Sequence, residues 1–332
     1  MAPRSARPFP SSAFILMEFA LLLLVGLLCA AALFTWGIVR DARSPSRATI
    51  GWALARKLPV DPAALNIEFT ESTWAANQPA WVLRGGAPSS DITTIIIHGW
   101  RRSRIDSLRR IHPWLSRSSS LWLLDLAGHG DAPPGPTTLG VRDVDDLVRL
   151  ARTLLAQGHA TSAPPTRLLF IGHSLGASIA ARAAARLDPA SLAGLVAFAP
   201  YESLAEPLES RLRSQALPAV PFARLAELWL HALCGREASV TRALAVLHAN
   251  QVPLLIVASG QDTVVSRPHV EKVAEAAQVT LVIDELSTHD ELGSSCDANA
   301  TTPCARALHA FLEKIATTST VVQSDATTRI EQ

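Results

Sequence analysis

A serine, a carboxylate and a histidine, each just past the end of an apolar run, are the residues of this chain best suited to chemistry. Ser174 sits in Gly172-His173-Ser174-Leu175-Gly176, directly after Leu168-Leu169-Phe170-Ile171 and before an Ala-rich stretch at 177–187. Strand, sharp turn and helix in that order make Gly-x-Ser-x-Gly a nucleophile elbow. Side chains at 172 and 176 would collide with neighbouring backbone while Ser174 holds a strained conformation. A hydroxyl with an ordinary pKa is a poor nucleophile, so a base and an acid that orients it are also needed.

The chain order expected for this arrangement is Ser, acid, His. The apolar run Pro253-Leu254-Leu255-Ile256-Val257-Ala258 is followed by Ser259-Gly260-Gln261-Asp262. This places Asp262 in a loop at the carboxyl end of a buried strand, where sites of α/β sheets collect. The next strand candidate, 281–286, is followed by Ser287-Thr288-His289-Asp290. The assignment is Ser174 as nucleophile, His289 as general base and then acid, and Asp262 orienting the imidazole. Asp290 is too close in sequence to fold back onto the His289 ring, and Asp284 lies within a strand. His248, His269 and His309 fall in helical stretches without turn signals, and His173 points away from its neighbour.

An oxyanion hole needs two backbone donors. Leu175, the residue after the nucleophile, supplies one. The other is expected from a loop after an earlier strand. Thr93-Thr94-Ile95-Ile96-Ile97 is β-branched throughout and reads as a buried parallel strand. It ends in His98-Gly99-Trp100, so the Trp100 amide, or that of Arg101, is the second donor. His98 is expected to brace this loop by hydrogen bonds.

At this point the chain resembles the α/β-hydrolase superfamily. The resemblance rests on 95–100, the run Leu121-Trp122-Leu123-Leu124-Asp125-Leu126-Ala127-Gly128-His129-Gly130, the elbow, Gly260-Gln261-Asp262 and His289, in that order. More narrowly it is similar to the membrane-anchored branch related to serine aminopeptidases and monoacylglycerol lipases. The likeness extends over roughly 66–315. It implies a mostly parallel sheet flanked by helices, a Ser-His-Asp triad and hydrolysis through an acyl-enzyme, and is silent on the substrate. An ester-type, small-molecule or lipid-like acyl substrate is the first expectation. A peptidase, a thioesterase or a non-catalytic binding module on the same fold are the alternatives. Arg101, Arg102 and Arg104 depart from the small or polar residues usual after this turn. With Arg109, Arg110 and Arg117 they read as a membrane-facing rim, an anionic-substrate site or a solvated helix face.

Composition fits one large α/β domain with an appendage. A net charge of +1 over 332 residues argues against a nucleic-acid partner. No phosphate-cradling glycine loop or metal-ligand spacing is present, so neither cofactor nor metal is expected. Residues 19–39 carry no charge and are long enough to cross a bilayer as a helix, with Trp36 suited to the interface. A membrane anchor at 14–39 is favoured over a signal peptide cleaved near Ala30-Ala31-Ala32, with 1–13 ahead of it and a basic linker at 40–65 behind. The Arg and Lys excess after the span favours a cytoplasmic hydrolase domain. A Cys296–Cys304 bridge would argue the opposite. The hydrolase domain is expected over 66–316 and a Thr/Ser-rich tail without structure over 317–332. About fifty residues between the strands at 194–199 and 253–258 exceed what a loop needs. Phe222, Leu225, Trp229 and Leu233, at helical spacing behind Pro221, suggest a small helical cap at about 201–250. One crossover helix with a long loop is the alternative.

Overall fold

The β-branched run at 93–97 is at the centre of an eight-stranded sheet. The strands are β1 (Phe69–Ala75), β2 (Gln78–Arg84), β3 (Ile92–Ile97), β4 (Ser120–Leu124), β5 (Arg167–His173), β6 (Leu192–Phe198), β7 (Leu254–Ser259) and β8 (Leu281–Asp284). Their spatial order is β1-β2-β4-β3-β5-β6-β7-β8. β2 runs antiparallel to β1 and β4, and all other neighbours are parallel. The computed structural model describes residues 12–159, 166–294 and 302–330.

Helices cover both faces of the parallel part, which is why its strands are apolar on both sides. All six residues of β3 and all seven of β5 and β6 are buried. Each fully buried Ile contributes roughly 1.5–3 kcal/mol. In chain order the helices are α1 (Ser12–Arg43), α2 (Ile50–Leu54), α3 (Arg104–Ser107), α4 (His112–Leu115), α5 (Val141–His159), α6 (Leu175–Ala184), α7 (Ala205–Ser214), α8 (Val220–Cys234), α9 (Val240–Ala249), α10 (Arg267–Ala277) and α11 (Pro303–Ile330). α6 is buried along its whole length, and its alanines let the helix lie close to β5 and β6.

Between β6 and β7 both expectations are partly met. α9 is the crossover helix, packed on α6 and α10, with Val240, Leu244 and Leu247 buried. α7 and α8 are additional and form the cap. Their small core, Ala205, Leu212 and Ala223, is shared with Phe34 and Ile38 of α1.

Three boundaries differ from the expected ones. The segment 40–65 is not a loose linker: Ala42, Ala48 and Ala53 are buried, and Arg47 donates to the carbonyls of Gly130 and Ala132. Small residues and a carbonyl-seeking guanidinium make this basic stretch part of the domain. α1 is one helix from Ser12 to Arg43, continuing beyond 39 because its last turns pack on the cap. Finally, α11 carries on to Ile330, past Thr317. Leu308, Phe311, Leu312 and Ile315 seat its first half, and extending a formed helix costs Thr-rich sequence only tenths of a kcal/mol per residue. Cys296 lies outside the described residues, and with it the bridge to Cys304.

Candidate active site

Ser174 closes β5 and opens α6 with φ 53° and ψ −114°, a left-handed backbone that a side chain normally avoids. The fold leaves it no alternative. A Cβ on Gly172 would lie 2.4 Å from Ala177 Cα, and one on Gly176 would lie 2.2 Å from the Ile97 carbonyl. The Ser174 amide donates to the Phe198 carbonyl at 2.8 Å, tying the elbow to β6. Leu175 is the first residue of α6, where an amide has no carbonyl partner within the helix and meets the positive end of the helix dipole.

Asp262 follows β7, and its side chain is almost fully buried. One oxygen, Oδ1, accepts from the amides of Val264 and Val265 at 2.7 and 2.8 Å. The other, Oδ2, meets His289 Nδ1 at 2.6 Å. Three bonds therefore fix the carboxylate, and the acceptor at Nδ1 selects the tautomer that leaves Nε2 with its lone pair.

His289 is held by its main chain as much as by its ring. His173 Nε2–H donates to the His289 carbonyl at 2.8 Å. Burial keeps His173 neutral, well below the ordinary histidine value, which suits a ring donating from one nitrogen only. Arg102 places both oxygens of Asp290 at 2.5 Å. Burial tends to raise the Asp290 carboxyl, but the Arg102 hydrogen bond and charge outweigh it and hold the group below its usual range.

Ser174 and His289 open onto one cavity of about 460 Å³, together with Gly99, Trp100 and the apolar side chains of Leu204 and Leu230. That volume falls within the range of small-molecule sites. His98 braces the loop after β3 as expected: Nδ1–H donates to the Gly99 carbonyl at 2.7 Å, and Nε2 accepts from the Leu126 amide at 3.1 Å. Burial holds this ring uncharged too. Asp125 anchors the other side of the loop, accepting from the Arg104 amide at 2.7 Å and the Asp131 amide at 2.9 Å. Burial outweighs Arg104 and pushes its carboxyl up to about 6.

Comparison with known proteins fits this architecture. Residues 94–312 match the model of the alpha/beta hydrolase family. The chain belongs to that family. Among curated relatives of this α/β-hydrolase, the uncharacterised protein YqkD of Bacillus subtilis is 27% identical over 192 residues, 57% of this chain and 61% of that protein. The uncharacterised protein Rv2307c of Mycobacterium tuberculosis is 30% identical over 158 residues, 48% of each chain. The chain thus spans about half to three-fifths of the length of these relatives. Among solved structures, the Pyrococcus furiosus esterase Pf2001 superposes with a TM-score of 0.58 at 19% identity, covering 81% of this chain and 98% of the esterase. A membrane phospholipase A, a bacterial virulence factor, gives 0.52 at 19% identity, covering 90% and 99%. At such identity these likenesses speak for the fold.

The arginines after β3 are structural in this α/β-hydrolase. Arg104 pairs with Asp125 and Asp131, and Arg110 with Asp106, while Arg109 reaches Asp106 and Ser294. Most of the segment is therefore neither a free rim nor a solvated face, because the guanidiniums of Arg101, Arg102, Arg104, Arg109 and Arg110 are each matched to a carboxylate, while Arg117 is exposed. Arg101 and Arg102 do line the cavity, both paired. Asp41 and Arg211 also meet at the mouth of the site. No spacing signal connects two residues so far apart in the chain.

Proposed function

We propose that the chain is a serine hydrolase that cleaves an ester-type acyl substrate through an acyl-enzyme and is held at a membrane by α1. In this reading Ser174 Oγ attacks the acyl carbon as His289 Nε2 takes its proton. Asp262 keeps Nδ1–H directed at itself and stabilises the imidazolium. The amides of Leu175 and Trp100 receive the developing oxyanion. His289 then protonates the departing alkoxide, and a water deprotonated by the same nitrogen releases the acid and restores the serine. The residues needed are all protein groups, and the reading calls for no cofactor or metal.

The observation that carries the reading is the 2.6 Å contact between His289 and a buried Asp262, beside a left-handed Ser174 on the same cavity. An ester is favoured over a peptide because peptide termini need a free charge to anchor them. The cavity carboxylate of Asp290 is occupied by Arg102, and Asp41, whose helix borders the cavity, is occupied by Arg101. The long apolar α1 supports the anchor, since no part of its most apolar stretch is buried. Leu225, Leu228 and Leu233 are exposed on α8, the cap helix against which α1 packs, which suits a cap resting near lipid. Arg40, Arg43, Arg56 and Lys57 after the span favour a cytoplasmic domain.

The test is labelling of the full chain in detergent with a fluorophosphonate, followed by p-nitrophenyl esters of increasing chain length and matched aminoacyl anilides. Ser174→Ala is expected to abolish labelling and to lower kcat on the order of 10³-fold or more. An alanine variant that still labels removes Ser174 from the mechanism. Faster turnover of the anilides moves the chain to the peptidases.

A further inference from the structure

The turn after β3 is held from a direction unrelated to the sheet. Trp100 Nε1 donates to the Ala42 carbonyl at 3.0 Å, and Arg101 Nη2 donates to Asp41 Oδ1 at 3.0 Å. The second Asp41 oxygen lies 2.8 Å from Arg211 Nη1 on α7. The indole of Trp100 packs against the same two guanidiniums, its ring centre 4.5 Å from that of Arg101 and 4.8 Å from that of Arg211. Asp41 and Ala42 belong to the last turn of α1, only two and three residues past the uncharged run, and Ala42 is buried.

Arg101 has φ 62°. A left-handed backbone costs a residue with a Cβ roughly 1–2 kcal/mol and persists only where the surroundings over-determine it. Here those surroundings are the Asp41 carboxylate, the Ala42 carbonyl and Arg211, and the first two come from α1. The turn also lies directly against the nucleophile, since a Cβ on Gly99 would be 3.4 Å from Ser174 Cβ and 2.9 Å from His173 Nδ1. A shift of a few tenths of an ångström at Trp100 is therefore a shift of the donor relative to Ser174.

We propose that the last turn of α1 belongs to the catalytic apparatus, with Asp41 and the Ala42 carbonyl as positioning groups that set the Trp100 amide. The helix that carries the apolar span then does more than tether the domain. Its docking against the cap and the turn determines how well the oxyanion is received. This inference rests on the Ser174 chemistry proposed above.

The test compares Asp41→Asn, Asp41→Glu and Trp100→Phe in the full chain in detergent, with p-nitrophenyl butyrate as substrate. Trp100→Phe keeps an aromatic ring beside the guanidiniums and removes the indole N–H with the rest of its five-membered ring. Asp41→Asn and Trp100→Phe should each lower kcat about tenfold with KM changed less than about twofold, a milder loss than the 10²–10³ of removing a donor outright. Asp41→Glu should recover most of the rate, which a merely structural role does not require. A kcat within twofold of wild type in both variants overturns the inference. So does a rise in KM at constant kcat, which would make Arg101 and Arg211 a substrate-binding pair. If Asp41→Asn does not fold, Trp100→Phe decides alone. A wild type that turns over esters independently of Ser174 is a different failure, that of the underlying reading, and both then fall.

Discussion

The Arg110 guanidinium donates to the main-chain carbonyl of Asp290 at 2.8 Å, one residue beyond His289. A second bond from Nε reaches the Leu292 carbonyl at 2.9 Å, while Nη1 pairs with the buried Asp106 at 2.7 Å. The short helical segment after β3 thus grips the loop after β8, which also touches the elbow through His173. Arg110→Met should release the loop and leave Asp106 with only Arg109. Stripping one partner from a buried pair costs about 3–5 kcal/mol, and the remaining Arg109 argues for the lower end. Denaturant unfolding and kcat should fall together, and a variant with wild-type stability would make the grip incidental.

Asp262→Asn is expected to preserve the loop and lose the chemistry. The asparagine oxygen can still accept from the amides of Val264 and Val265. Its NH2 group then faces His289 Nδ1 and favours the wrong tautomer, for which a kcat loss on the order of 10⁴ is the precedent in triad enzymes. A loss of less than about tenfold, with the fold intact by thermal unfolding, would reassign the acid.

Gly176→Ala tests the elbow by geometry alone. The added methyl would lie 2.2 Å from the Ile97 carbonyl oxygen and 2.6 Å from that of His98, and backbone on both sides cannot yield. Overpacking of this kind costs about 1–3 kcal/mol and displaces the nucleophile, so probe labelling should be lost along with stability. Gly51→Ala, where the nearest atom is the Thr49 hydroxyl at 3.8 Å, is the matched control and should label normally.

The buried histidines predict an acid-sensitive fold. Burial lowers His129 from 6.5 to about 4, with its hydrogen bond to the Ala127 carbonyl opposing and Arg47 adding to the effect. A base whose folded pKa is depressed contributes its full stability above pH 6.5 and loses it as pH falls toward 4. His129→Asn should therefore be less stable than wild type at pH 7.5. The gap should close by about 1.4 kcal/mol per pH unit below 6.5. Asp125, raised to about 6, acts in the opposite direction but is present in both proteins and cancels from the difference. A gap that does not change between pH 7.5 and 5 would mean that His129 titrates normally in the fold.

The features legible in the order of residues are local or periodic. The β-branched run of β3, the glycines of the elbow and the loops carrying Asp262 and His289 after β7 and β8 were all readable. Each depends on a residue type meeting a short-range steric or pattern requirement. The family followed from the order of those segments. The remaining contacts depend on the folded chain, because charge pairing across long sequence distance leaves no periodic trace. The arginines after β3 look like a surface run in the sequence, yet Arg110, Arg104 and Arg102 are taken up by Asp106, Asp125 and Asp290. His173 lies beside the nucleophile in the chain, yet its ring donates to the His289 carbonyl. Asp41 looks like the first charge after a membrane span. Only the fold brings it to Arg101 and Arg211, since the meeting of one end of a helix with a turn sixty residues later and a cap helix later still is set by packing and not by neighbours in the chain.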